Sequence, residues 1–325
     1  MTRSSRVDWL IFLALGFFWG SSYLFIRIGV QHGLQPFTLI MFRLLIGFAL
    51  LASVVAVARE PLPRNPRTYG HLFVMGAVNI AVPFSLITFA ETTVDSSLAS
   101  VINSAVPLFV IVIAAIFLKG ETITVNRLAG LAVGFVGVAI LVGFDVGKLT
   151  SGGAIGELAL IGATISYAIG AVYARRNIHG LRPMIPALFQ VFFGLLITGA
   201  LAFVVERPLA VDWVPESLLA VVWLGLLGSG LAYLCFFRIL QHWGATRTSL
   251  VAYLLPVYGI ALGAAVLHEP IGVSMLVGTG LVIGGIALVN APFGTRALFA
   301  RSVSPAEVPP PVPTRDAAQP GTGRP

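Results

Sequence analysis

SLASVINSAVPLFVIVIAAIFLKGETITVNRLAGLAVGFVGVAILV, residues 97–142, returns in altered form as TRTSLVAYLLPVYGIALGAAVLHEPIGVSMLVGTGLVIGGIALV, residues 246–289. With one residue dropped before the acid, Pro107 meets Pro256, Ser100 meets Ser249, Glu121 meets Glu269, Gly130 meets Gly278 and Gly137 meets Gly285. The stretch is one half of an internal repeat. Each copy is two apolar spans joined by a short polar turn that carries a glutamate. A proline inside such a span makes a poor core helix in water. It is tolerated in a membrane helix, where neighbours re-satisfy the freed carbonyl.

Composition agrees with a membrane setting. Of 325 residues 57% are hydrophobic and 10% charged, where a soluble domain carries about 25% charged residues. The net charge of +7 forms no nucleic-acid-reading motif, because the basic residues fall in short loops between apolar spans. The single cysteine, Cys235, excludes a disulfide framework and a cysteine-ligated metal site. No metal cluster or cofactor motif is expected, and the run after Arg3 and Arg6 reads as an uncleaved first span rather than a signal peptide.

Windows of about 20 apolar residues place ten spans, near 9–30, 37–57, 70–90, 97–118, 126–144, 155–174, 184–205, 217–237, 246–267 and 272–291. The tail from Pro292, with PPPVP at 309–313, is expected to be disordered. Arg3, Arg6, Arg59, Arg64, Arg67, Lys119, Arg127, Arg175, Arg176, Arg182, Arg238, Arg247, Arg296 and Arg301 all fall on one side of the ten spans. The other side gathers Glu91, Asp95, Asp145, Glu157, Glu206, Asp212, Glu216 and Glu269. The positive-inside rule therefore predicts a multi-pass cell-membrane protein with both termini cytoplasmic.

The repeat extends over both halves at an offset of about 148 residues: Trp19 corresponds to Tyr167, Arg43 to Gln190, Gly76 to Gly225 and Phe84 to Tyr233. The fold class is thus all-α, ten transmembrane helices as two five-helix repeats, residues 1–145 and 146–291, with the tail at 292–325. An odd number of spans per repeat inverts the second against the first, an architecture that transporters use for alternating access.

At this point the residues carry a family likeness. WGSSYLFIRIGV, PFTLIMFRLLIGFALL, PLFVIVIAAIFLKGE and the glycine-rich span after it resemble the drug/metabolite transporter superfamily of the ten-helix type with two EamA domains. The resemblance covers nearly the whole chain up to Ala291. It implies a plasma-membrane exporter or permease for small metabolites, often amino acids, with a central cavity between the halves.

Several residues are candidates to line that cavity. Arg43 lies about 9 Å down its helix at 1.5 Å per residue. A buried arginine there either attracts a solute carboxylate or serves structurally by bonding helix-end carbonyls. Arg27, nearer its span end, reads as snorkelling outward. Trp19 and Tyr23 share a face with Arg27, and Tyr167 is the second-half counterpart of Trp19. Ser100, Asn103 and Pro107 make a polar stripe beside a helix break, matched by Ser249, Tyr253 and Pro256 in the ninth span. Asn79 with Pro83, and Ser229 with Tyr233, are weaker candidates on the third and eighth spans. Glycines 130 and 134, and 280 and 284, read as helix-packing positions, and Glu121 and Glu269 as capping or solvated turn residues. No acid lies near the middle of any span, which favours facilitated movement or exchange over proton coupling.

The expected partners are a small-molecule solute and the lipid bilayer, with the protein a monomer or homodimer and no role for nucleic acid. Two other functions would each need residues of their own. A nucleotide-sugar or triose-phosphate exchanger would need several cavity cations. An intramembrane lipid-modifying enzyme would need paired acids, a metal cluster or an activated nucleophile, and the scattered histidines supply none of these.

Overall fold

A computed structural model describes residues 6–118, 122–143, 153–178, 180–291 and 297–300. Nine helices among them are long and apolar enough to cross a bilayer. They are α1 Arg6–Gln31, α2 Pro36–Val57, α3 Pro66–Ala90, α4 Ser96–Phe117, α5 Val125–Val142, α6 Ala154–Asn177, α7 Met184–Val205, α8 Pro215–Gly244 and α9 Ser249–Leu267. The tenth, α10, is the shorter apolar helix Val273–Val289. Side chains such as Leu10, Val136, Leu158, Phe203 and Leu276 are largely exposed. Apolar surface on this scale fits contact with lipid.

Two close contacts show the inversion directly. A Cβ placed on Gly130 of α5 would lie 2.6 Å from the carbonyl oxygen of Gly285 in α10 and 2.7 Å from the Val289 side chain. One placed on Gly137 would lie 2.8 Å from the Gly278 oxygen and 2.8 Å from the Val282 nitrogen. As α5 is followed forwards its partner runs backwards, so the last spans of the two repeats are antiparallel. The second spans behave alike: the start of α2 touches Glu206 at the end of α7, while Gly199, a turn or two back in α7, faces Met41 of α2. The other contacts are exchanged between halves. Helix α1 packs on α9 while α6 packs on α4, and α2 packs on α8 while α7 packs on α3.

The α5 and α10 contact also corrects an expectation. Gly130 and Gly134 do face neighbouring atoms, but in α10 the packed glycines are Gly278 and Gly285, and a Cβ on Gly280 or Gly284 would meet nothing within 4 Å. Asn126 adds a polar fastening, donating through Nδ2 to the carbonyls of Val289 at 3.2 Å and Ala291 at 3.0 Å.

Four spans depart from regular α-helix, at positions matched between the halves. Helix α3 widens to a π-helix at Ala77–Ala81, just before Pro83, and α8 does so at Leu224–Leu231. Helix α4 breaks at Ala105, two residues before Pro107, and α9 begins as a 3₁₀ stretch, Ser249–Tyr253, ahead of Pro256. Gly244, at φ 77, ends α8 in a conformation that favours glycine.

A two-stranded antiparallel ribbon joins β1, Thr122–Thr124, to β2, Ala297–Ala300. The expected disorder from Pro292 onward is therefore interrupted at Ala297–Ala300, where the backbone pairs with the turn ahead of α5. The rest of that tail, and Glu121, lie outside the described residues.

Candidate functional site

The centre of the bundle is built from a polar bond made twice across the two halves. Helix α2 opens with Pro36, and its next two backbone N–H groups, of Phe37 and Thr38, donate to the Glu206 carboxylate at 3.0 and 2.7 Å. An acid from the second half thus satisfies the orphan donors of a first-half helix start. About two turns further on, Arg43 is 3% exposed and donates through Nε to the Ser229 hydroxyl at 3.2 Å. Ser229 belongs to the π-helical turn of α8. The counterpart of Arg43, Gln190 on α7, accepts from Asn79 Nδ2 at 2.9 Å, and Asn79 belongs to the π-helical turn of α3. One geometry is therefore charged and the other neutral. Single π-helical turns recur at functional sites because the extra residue turns side chains out of the helical register.

The guanidinium of Arg43 lies over the ring of Phe84, with Cζ 4.3 Å from the ring centroid. No carboxylate is within salt-bridge distance of it among the described residues, and its terminal nitrogens make no hydrogen bond there. The titratable groups that act on it through space are Tyr167, Tyr233, Glu91 and Tyr23. The Tyr23 hydroxyl accepts from Asn103 Nδ2 at 2.5 Å, which leaves Asn103 Oδ1 buried and unpartnered. Tyr233 lies parallel to Phe237 with ring centroids 6.3 Å apart, and meets Trp19 edge-on at 6.2 Å.

Trp19, Tyr23, Arg43, Asn79, Asn103, Tyr167, Ser229 and Tyr233 thus belong to the central region, and Pro83 and Pro107 flank its helix irregularities. Three candidates belong elsewhere. Ser100 is fully buried against Gly259 of α9 and bonds the carbonyl of Ser97 at 2.7 Å, so it packs α4 on α9. Tyr253 lies toward the end of the bundle where α1 begins and α10 ends, its hydroxyl 3.4 Å from Asn290 Nδ2. Pro256 follows it in the α9 packing surface, buried. Phe84 is a further member that the polar and aromatic stripes do not single out, although its repeat correspondence with Tyr233 marks it in the sequence.

Each end of the bundle is tied across the halves. At the face opposite the start of α1, His268 adopts the left-handed conformation, φ 55 and ψ 33, and turns Glu269 back onto the start of α4. The Glu269 carboxylate there accepts from the backbone N–H of Ser96 at 2.8 Å and of Ser97 at 2.9 Å, and from both serine hydroxyls. Gly263 makes room, because a Cβ on it would collide with Glu269 and Ser97. Arg27 does not simply snorkel. It donates to the main-chain oxygen of Glu91 and lies 3.9 Å from Asp95. At the other face, by the start of α1, Asp8 lies 3.5 Å from Arg238 and 3.0 Å from His242.

Ten apolar helices in two inverted repeats, with one buried arginine between them among the described residues and a tie at each end, define a polytopic transporter that moves small solutes through the bilayer. The EamA-like transporter family model matches this chain twice, over residues 8–143 and 154–291. The chain belongs to that family. It is similar to the uncharacterized transporter YvbV of Bacillus subtilis, 28% identical over 284 residues, covering 86% of this chain and 90% of the relative. It is likewise similar to the uncharacterized inner membrane transporter YedA of Escherichia coli strain K12, 28% identical over 279 residues, covering 85% and 88%. A solved crystal structure shares the fold at a TM-score of 0.63 and 22% identity, covering 88% of this chain and 98% of that one.

Proposed function

We propose that this chain exports or exchanges small metabolites bearing a carboxylate, amino acids and related solutes foremost, across the cell membrane by alternating access. Both termini are cytoplasmic on this reading, so the Asp8 tie closes the inner end and the Glu269 tie the outer. The supporting observation is the state of Arg43. A buried cation in a membrane is costly, on the order of 2.5–3.5 kcal/mol at a helix centre by insertion scales, and is normally offset by an acid. Here a serine and an aromatic ring hold it instead. Its terminal N–H groups are left for an anionic oxygen, and a planar guanidinium fits a carboxylate through two parallel bonds. Tyr23, Tyr167, Tyr233 and Trp19 supply the aromatic wall against which a side chain of the solute packs.

Facilitated movement down the solute's own gradient is the mode the middle of the spans supports, since no carboxylate pairs with Arg43 among the described residues and Glu91, which acts on it through space, stands at the edge of its span. A sugar phosphate is the weaker alternative, because phosphate is ordinarily held by several cations and Arg43 is without a cationic neighbour at bonding distance among the described residues.

The test is a thermal-stability screen of purified protein against amino acids, their amides and sugar phosphates. Free amino acids should raise the melting temperature in a saturable way, and amides that lack the carboxylate should not. Arg43→Gln should weaken binding at least tenfold, about 1.4 kcal/mol or more. Equal stabilisation by acid and amide, or unchanged affinity in Arg43→Gln, contradicts the reading.

A further inference from the structure

Glu91 is the residue of the outer end that the tie does not use. It caps α3 and is fully buried, and neither carboxyl oxygen has a hydrogen-bond partner among the described residues. The nearest cation, Arg27, is spent on the main-chain oxygen of Glu91 and on Asp95, and does not bond its carboxyl. The acid that acts on it is Glu269 from the α9–α10 turn; Asp95 stands four residues further along the chain, and buried Glu157 follows Gly156 of α6, which packs against Ala90 and Val94. From α1 and α2 the facing groups are Arg27, Tyr23 and Arg43, none of them hydrogen-bonded to the carboxyl. An ionised carboxylate so placed would bear the full cost of burial with no compensating bond, whereas a carboxylic acid would not.

We infer that Glu91 is a proton-binding site, protonated while the outer tie is made and ionised once that tie opens and water reaches it. The inference goes beyond the proposed function and stands apart from the identity of the solute. It requires no fixed ratio of protons to solute, only that closing the outer end takes up one proton from the outside medium. Burial first, and then the carboxylate of Glu269, push the Glu91 carboxyl well above the usual carboxylate range, against weaker pulls from Arg27 and Arg43.

The sign follows from linkage. The closed form holds its proton to higher pH than the hydrated, open form, so the closed form binds more protons in the interval between the two. Acidifying the outside therefore favours closure. Raising the pH through the closed-state value favours opening.

The experiment uses full-length protein in lipid nanodiscs and two readouts. Infrared difference spectroscopy at neutral pH should show a protonated carboxylic-acid carbonyl band that disappears in Glu91→Gln. With spin labels at Thr92 and Ile271, on the turns flanking the outer tie, the wild-type distance should lengthen as pH rises. In Glu91→Gln it should stay short throughout, and in the control Asp95→Asn it should respond as in wild type. Absence of the band or of any pH response in wild type overturns the inference, and neither result depends on the variant folding. The same pH response persisting in Glu91→Gln, or being lost in Asp95→Asn, overturns it as well. A failed amino-acid screen with these results intact would count against the proposed solute and leave the proton site standing.

Discussion

Glu269 does the work of four hydrogen bonds with one carboxylate, two from backbone N–H groups at the start of α4 and two from serine hydroxyls. Glu269→Gln replaces an acceptor with a donor against those N–H groups and removes a negative charge from a helix N-terminus. It should cost about 1–2 kcal/mol of stability, read as a lower melting temperature. Tyr23→Phe strands Asn103, both of whose polar atoms are then unpartnered. The expected loss is about 1 kcal/mol or less, with weaker solute binding in the screen above. The depth of Arg43 in its span was legible from residue order alone, because an arginine six residues into an apolar run has few places to go. Its partner Ser229 was not, since that bond joins residues 186 apart in sequence and depends on a π-helical turn that shifts the register. The burial of Glu91 was hidden in the same way. It lies at the edge of its span by counting, and only the packing of α1 and α6 around it encloses it.

At the scale of elements, the helix faces read from the sequence hold where the helix is regular and fail where it is not. Ser249, Tyr253 and Pro256 share a face at 3.6 residues per turn. The first two lie in a 3₁₀ stretch, where the tighter turn rotates them relative to one another and carries Tyr253 toward Asn290. The α5 and α10 pair makes the point in glycine. Gly278 and Gly285 are seven residues apart and share one face, whereas Gly280 and Gly284 look away from α5. Gly285→Ala should therefore be destabilising by about 1–3 kcal/mol, because the new Cβ meets the Gly130 oxygen and the Gly134 nitrogen at 2.6 Å. Gly284→Ala should stay within about 0.5 kcal/mol of wild type. Thermal unfolding of the two variants side by side checks the pairing, and equal effects would show that α10 presents a different face.

The whole molecule is two copies of one five-helix design set head to tail, and this much was written in the chain: span count, offset and an odd number of spans per copy. What the repeat could not state is how the copies differ where they meet. The charged Arg43–Ser229 bond has a neutral counterpart in the Gln190–Asn79 bond. One end is tied by Glu269 on serines, and the end where α1 begins by Asp8 with Arg238 and His242. If alternating access is the mechanism, those two ties cannot both open in one conformation. The direct measurement is a pair of spin-label distances in a Cys235→Ala background, Thr92 to Ile271 across the Glu269 tie and Arg6 to Gln241 across the Asp8 tie, with and without a solute that the thermal screen shows to bind. The two distances should move in opposite senses, one lengthening as the other shortens. If both lengthen together, or neither moves while the solute is being transported, the inverted halves do not alternate and the account fails.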